Sequence, residues 1–328
     1  MQKVFFRADA GREIGYGHFI RSLALADILK GEFDCLFYTV KPTDYQISEM
    51  ARICPHVALR EETKFKDFLS YLKGDEIVVL DNYFYTTEYQ YQIKAKGCKL
   101  VCIDDMHNIH YVADAVINHG PGARESQFSK ENYTSLYLGP EYLLLRKPFR
   151  DATHNYTSFK ENNNVYICFG GCDEFNFTRK ACEIIMHHAP RHIDVVVGGA
   201  YEFYDELLEY SKSCDITVYK NASPEQIVAL LRNACLAVVP DSMAFFEACC
   251  LRRPIICGYD CDNQLYISQY NQQNNLGCEI GNLLVDFDEK FAKAYKEMNI
   301  SVAINNVYNQ KALINDTANN LINIFNSL

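Results

Sequence analysis

Phe6-Arg7-Ala8-Asp9-Ala10-Gly11-Arg12-Glu13-Ile14-Gly15-Tyr16-Gly17-His18 follows directly on the N-terminal apolar run. Lys3 to Phe6 predicts a buried first strand. Three glycines then break the chain, and Phe19 to Leu29 continues with helical spacing through Phe19, Ile20, Leu23, Ala24, Ala26, Ile28 and Leu29. The histidine therefore falls where a strand hands over to a helix, at the carboxyl edge of a sheet. Open α/β sheets bind ligands at that edge. Gly15 and Gly17 permit positive φ and close approach of a ligand to bare backbone, and an imidazole placed there can take up a proton near neutral pH. The segment lacks Gly-x-Gly-x-x-Gly, so it is no dinucleotide fingerprint, and the chain has no Walker-type phosphate loop.

The same alternation of strand and helix continues along the first half. Cys35 to Val40, Val57 to Leu59, Ile77 to Asp81, Leu100 to Asp104 and Ala115 to Asn118 predict strands. The stretches 45–53, 65–73 and 87–96 predict helices between them. That order implies a parallel sheet covered on both faces. Several strands end in polar residues: Asp81-Asn82-Tyr83, Asp104-Asp105 and Asn118-His119. Their recurrence at one edge points to a site, although helix capping alone accounts for Asp81 and Asp104 taken singly. The polar stretch 151–164 is the expected linker. A second series opens with Val165 to Phe169 and adds strands at Ile193 to Val197, Ile216 to Tyr219, Leu236 to Val239 and Pro254 to Cys257, with helices including Pro224 to Arg232 and Ala244 to Leu251. The expected division is residues 1–150, the linker, 165–300, and a helical tail over 301–328 that packs back on one of the domains.

Composition excludes several classes. With 328 residues, 48% hydrophobic and 23% charged, the chain is globular and long enough for two domains. A net charge of −10 without a basic cluster argues against nucleic acid as a partner. No apolar run reaches the roughly 18 residues needed to cross a membrane, and the immediate first strand leaves no room for a signal peptide. The 14 cysteines show no Cys-x-x-Cys pair and no Cys/His spacing of a zinc site; Cys168/Cys172 and Cys257/Cys261 each lack a second pair. The expectation is reduced, cytosolic thiols and no metal. A monomer is the expected state.

Two turns in the second half suit a diphosphate. Gly170-Gly171 follows a strand and precedes a helix from about Phe177, which offers amides to phosphate. Asp241-Ser242-Met243-Ala244-Phe245-Phe246-Glu247 follows another strand and opens a second helix. There Ser242 and neighbouring amides can meet phosphate, and Glu247 can accept from ribose hydroxyls. A plain N-cap accounts equally for Ser242 taken alone, and a solvated helix carboxylate for Glu247.

Taken in order, these residues resemble the nucleotide-sugar hydrolases of pseudaminic acid biosynthesis, which act on UDP-2,4-diacetamido-2,4,6-trideoxy-β-L-altropyranose, and the related spore-coat polysaccharide proteins. The resemblance rests on Phe6-Arg7-Ala8-Asp9, Ile14-Gly15-Tyr16-Gly17-His18, Arg21, Asp81-Asn82-Tyr83, Ile103-Asp104-Asp105, Asn118, Gly139…Tyr142…Arg146, Gly170-Gly171-x-Asp173 and Ser242…Glu247-Ala248, spanning roughly residues 3 to 260. It implies a GT-B-like fold, similar to the glycosyltransferase that makes lipid II, with two Rossmann-like domains whose parallel sheets face a central cleft. It further implies catalytic roles for His18, Tyr83 and Asn118. Substrate and UDP contacts fall to Gly15, Gly17, Arg21, Gly170, Gly171, Asp173, Ser242, Met243 and Glu247, and Arg7 and Asp9 support the His18 loop. No cofactor is implied. Cys172 stands where the family has Thr or Ser, and Met243 and Ala244 replace small hydroxylated residues, which bears on side-chain contacts to phosphate but not on backbone amides. Two alternatives share these residues: an inverting glycosyltransferase with a UDP-sugar donor, and a nucleotide-sugar binder without catalysis.

Overall fold

The computed structural model describes residues 1–11, 14–154, 158, 164–311 and 316–328. Its contacts group into two units, one formed by the described residues of 1–147 and 315–328, the other by those of 148–314.

The first unit is built on a seven-stranded sheet. In chain order its elements are β1 (Lys3–Arg7), α1 (Gly17–Leu29), β2 (Asp34–Val40), α2 (Asp44–Ala51), β3 (His56–Leu59), α3 (Lys64–Tyr71), β4 (Ile77–Leu80), α4 (Thr87–Ala95) and β5 (Lys99–Ile103). They continue with the two-residue β6 (His110–Tyr111), β7 (Ala115–Asn118), the two-residue β8 (Ser129–Lys130) and β9 (Ser135–Leu138). The strand order is β3-β2-β1-β4-β5-β7-β9, and every pair is parallel. β6 and β8 pair with each other apart from this sheet. β1 and β4 are buried along nearly their whole length, which is why they read in sequence as continuous apolar runs. Chain order reverses between β1 and β4, a switch point at which the carboxyl ends diverge and leave room for ligand-binding side chains.

The second unit repeats the scheme. α5 (Lys147–His154) leads to β10 (Asn164–Ile167), α6 (Phe177–His188), β11 (Ile193–Val197), α7 (Tyr204–Ser211), β12 (Ile216–Lys220), α8 (Pro224–Asn233), β13 (Ala234–Pro240), α9 (Met243–Cys250), β14 (Ile255–Tyr259), α10 (Leu265–Asn274), β15 (Cys278–Asn282), α11 (Phe287–Glu297) and α12 (Ile300–Gln310). The six strands run β12-β11-β10-β13-β14-β15, again all parallel. α13 (Thr317–Asn326) closes the chain.

Three sequence expectations are corrected. The stretch 151–164 is not wholly a linker, because 151–154 form the end of α5, whose Phe149 and Ala152 are buried, and Asn164 already begins β10; residues 155–157 and 159–163 lie outside the described ones. The stretch 301–328 is not one tail. α12 stays with the second unit, where Gln310 Nε2 donates to the carbonyls of Arg253 and Leu276, while α13 inserts Leu321, Ile324 and Phe325 into the core of the first unit, Phe325 packing edge-on to Phe33. Finally, β9 and β15 were not expected. Both are half-exposed edge strands, and β15 breaks its apolar residues with Glu279, Gly281 and Asn282.

Because α13 completes a core it reaches only after the whole second unit, its loss should unfold the N-terminal unit first. Leu321 is wholly buried, so Leu321→Ala is expected to cost about 2–5 kcal/mol. Denaturant unfolding of the variant, followed by aromatic signals, measures this.

Candidate functional site

Asp81 follows β4 at the carboxyl edge, and α1 presents His18, Arg21 and Ser22 towards it at helical spacing. The Asp81 carboxylate accepts from His18 Nδ1 at 2.7 Å, Arg21 Nε at 2.7 Å, Arg21 Nη2 at 2.6 Å and Ser22 Oγ at 3.0 Å. Arg21 reaches on through Nη1 to Asp105 at 2.6 Å, just beyond β5. All three α1 side chains are buried. Burial by itself disfavours the Asp81 charge, but Arg21 and then His18 outweigh it and hold the carboxyl down at about 2. Asp105 is lowered too: burial opposes its charge, and Arg21 overcomes that.

This arrangement fixes the histidine tautomer. An ionised carboxylate only accepts, so the 2.7 Å contact places the proton on Nδ1 and leaves the lone pair on Nε2. Arg21 Nη2, 3.1 Å from the same nitrogen, can then only lie alongside it. Asp81 thus fixes the orientation of the imidazole and the position of its Nδ1 proton, as the carboxylate does in an Asp-His pair. Tyr83, half-exposed, sets its ring edge-on to the imidazole with centroids 4.5 Å apart.

Around this pair the chain is braced. Arg7 is fully buried and forms a two-pronged ion pair with Asp9, one contact being 2.8 Å. Asp9 also accepts from the Val40 amide at 2.9 Å, and its backbone exchanges hydrogen bonds with the Asn82 side chain. Arg7 and Asp9 so tie the exits of β1, β2 and β4 together directly before the glycine loop. Gly15 takes φ +70°, a conformation that favours glycine, and its carbonyl accepts from the Gly11 amide. Arg12 and Glu13 lie outside the described residues. At the end of β7, buried Asn118 accepts from the Gly120 amide at 2.9 Å through Oδ1, which leaves its NH2 group as the part not used by that turn.

The sequence points to His18, Arg21, Tyr83 and Asn118 individually, and to Asp81 and His119 as polar residues at the strand ends. Asp81 was open to reading as a helix cap, and only the β1–β4 adjacency shows that it faces α1. His119 is buried, among the described residues its Nδ1 has no hydrogen-bond partner, and burial followed by the Arg21 charge pulls it down to about 4, so it is neutral near pH 7.

In the second unit, Gly170 takes φ +84° at the turn after β10. Gly198, at the end of β11, lies so close that a Cβ there would meet the Gly171 carbonyl oxygen at 2.5 Å, so the turn's backbone is held by backbone. The Asp173 carboxylate accepts from the amides of Phe177 and Thr178, each at 2.8 Å. Each Asp173 oxygen thus accepts from one of the first amides of α6, beside the backbone turn from Gly170 to Cys172. Ser242 caps α9, its Oγ accepting from the Ala244 amide at 3.3 Å; Met243 is the first residue of that helix, and Glu247 is buried in its second turn. Asp241, one residue earlier, is fully buried and raised to about 9 by burial and by the Glu279 charge. Among the described residues no helix is long and apolar enough to cross a membrane.

No family model matches the chain. It is 28% identical over 281 residues to an uncharacterised protein of Methanocaldococcus jannaschii, covering 78% of this chain and 55% of that one. It is 25% identical over 263 residues to spore coat polysaccharide biosynthesis protein SpsG of Bacillus subtilis, covering 76% and 75%. With the UDP-2,4-diacetamido-2,4,6-trideoxy-beta-L-altropyranose hydrolase of Campylobacter jejuni it shares 28% identity over 189 residues, 54% of this chain and 63% of that enzyme. It thus spans about half the length of the first relative and under two thirds of the last. Among solved structures, MurG of Acinetobacter baumannii matches with TM-score 0.69 at 11% identity over the whole of both chains. Anabaena HepE in complex with UDP and glucose matches with TM-score 0.63 at 10% identity, covering 100% of this chain and 99% of that one. The fold is that of the GT-B glycosyltransferases, and the sequence relatives include nucleotide-sugar and polysaccharide-biosynthesis proteins.

The Asp81 carboxyl is depressed in the folded state, so its stabilising contribution is present above its ordinary value of 3.8 and lost as pH falls towards 2. The shift corresponds to about 2–3 kcal/mol at pH 7. Asp81→Asn should therefore lose at least that much stability at pH 7, with the gap to the unsubstituted chain narrowing steadily below pH 4. Urea titrations of both chains across that range test the sign.

Proposed function

We propose that this chain hydrolyses a UDP-linked diacetamido-trideoxy sugar at the anomeric C–O bond, with inversion, releasing UDP and the free sugar in nonulosonic acid biosynthesis of the pseudaminic type. The observation that carries the reading is the Asp81–His18 pair, which leaves Nε2 ready to accept a proton. His18 binds and deprotonates the attacking water as the bond to UDP breaks, and Asp81 stabilises the resulting imidazolium. Tyr83, on the imidazole edge, and the Asn118 NH2 group orient the sugar and its acetamido groups. Gly15 and Gly17 let the loop approach the substrate, and Arg21 serves it indirectly by fixing Asp81.

The departing UDP is met by backbone amides at Gly170, Gly171, Ser242 and Met243, where preorganised donors stabilise developing charge; this assigns no step to a metal. Glu247 accepts from the ribose hydroxyls. The relative of Campylobacter jejuni supports the hydrolytic reading, and the GT-B neighbours support the nucleotide half. The same geometry serves an inverting glycosyltransferase in which His18 deprotonates an acceptor hydroxyl. In the absence of a named acceptor, release of UDP with water alone separates the two.

His18→Asn is expected to lower turnover about 10²- to 10⁴-fold, the usual worth of general-base catalysis, and to leave UDP affinity nearly unchanged. Glu247→Ala should do the reverse, weakening UDP binding about ten- to a hundredfold, as for a lost hydrogen bond to a charged acceptor. A UDP-release assay over a panel of UDP-sugars, with and without alcohol acceptors, together with calorimetric UDP titration, checks both. Near-normal turnover in His18→Asn removes the base from this scheme, and normal UDP binding in Glu247→Ala removes the ribose contact.

A further inference from the structure

Three side chains with no part in the scheme above converge on neighbouring strands of the second unit. Asp241 directly follows β13, Cys257 lies in β14, and Glu279 lies in β15 as the register partner of Cys257. The Asp241 amide donates to the Gly258 carbonyl at 2.8 Å, which fixes the first of them to the second strand. One carboxylate oxygen of Asp241, Sγ of Cys257 and one carboxylate oxygen of Glu279 all lie within 4.8 Å of one another. Asp241 is 0% exposed and Cys257 2% exposed, yet neither Asp241 oxygen has a hydrogen-bond partner among the described residues. Two acidic groups facing each other in a dry setting need a positive charge or a proton between them.

The surroundings orient the other two groups as electron donors. Asn271 of α10 directs Nδ2 to Cys257 Sγ at 3.1 Å and to Glu279 Oε2 at 3.2 Å, and its own Oδ1 is locked by the Gly277 amide at 2.7 Å. Glu279 Oε1 accepts from the Gly281 amide at 2.8 Å. Donors aimed at a sulfur and at a carboxylate are what outer partners of a metal centre supply, since they fix ligand orientation. Glu279 is partly exposed and gives an entry side.

We propose that Asp241, Cys257 and Glu279 bind a divalent transition-metal ion of the zinc type, with Asn271 as the hydrogen-bonded outer partner. One thiolate with two carboxylates favours zinc or cobalt over magnesium or calcium, which take all-oxygen shells. The ion clamps β14 and β15 to the turn that carries Ser242. This site does not depend on the hydrolase reading, and its readout is absorbance, so either can fail while the other stands.

The test is titration of the metal-stripped, reduced full chain with Co2+ under anaerobic conditions, following the thiolate-to-cobalt charge-transfer band and the visible d–d bands. One equivalent should bind, be displaced by Zn2+ and not by Mg2+, and raise the thermal unfolding midpoint. Cys257→Ser should remove the charge-transfer band, with any residue of it measuring the other cysteines, and Asp241→Asn should weaken binding at least about tenfold. X-ray absorption on the unsubstituted zinc-loaded chain needs no variant to fold; it should count one sulfur among oxygen donors. Absence of stoichiometric cobalt binding, a sulfur-rich shell, or titrations unchanged in both variants overturns the proposal. Stabilisation by Asp241→Asn with no metal bound to the unsubstituted chain also overturns it, by assigning the cluster to a shared proton.

Discussion

The Asp81 carboxylate is the point on which the N-terminal site depends. It accepts from three side chains of α1 while sitting at the end of β4, so one buried charge fixes the rotation of the first helix against the sheet and the tautomer of His18. Such a charge survives burial only because the guanidinium of Arg21 lies against it in a fork geometry, and Arg21 is in turn shared with Asp105. Removing one partner strands the others in a low-dielectric setting. Structural and chemical roles are therefore inseparable here: the ion pair that orients the imidazole is also what lets the strand ends stay polar under cover.

In the second unit the turn after β10 depends on the backbone. There Gly198 meets Gly171, and the Asp173 carboxylate is engaged with the first amides of α6. Ser242 likewise caps α9. Both turns therefore present peptide groups more than side chains.

The sequence by itself determined the alternation of strands and helices, the position of His18 at a strand-to-helix handover and the two glycine- and serine-led turns. Those features are local: apolar periodicity, glycine freedom and capping act over a few neighbours. Edge strand β15 escaped it because its half-exposed residues carry no continuous apolar run. Only the tertiary structure decided what crosses between distant segments. The pairing of His18 with Asp81 needs β1 beside β4, the insertion of α13 into the first core needs the chain to return after a whole unit, and the meeting of Asp241, Cys257 and Glu279 needs three parallel strands in register. Spacing along a chain cannot reveal such contacts, because a parallel sheet brings together residues separated by entire crossovers, and what they do to one another depends on burial that only packing creates.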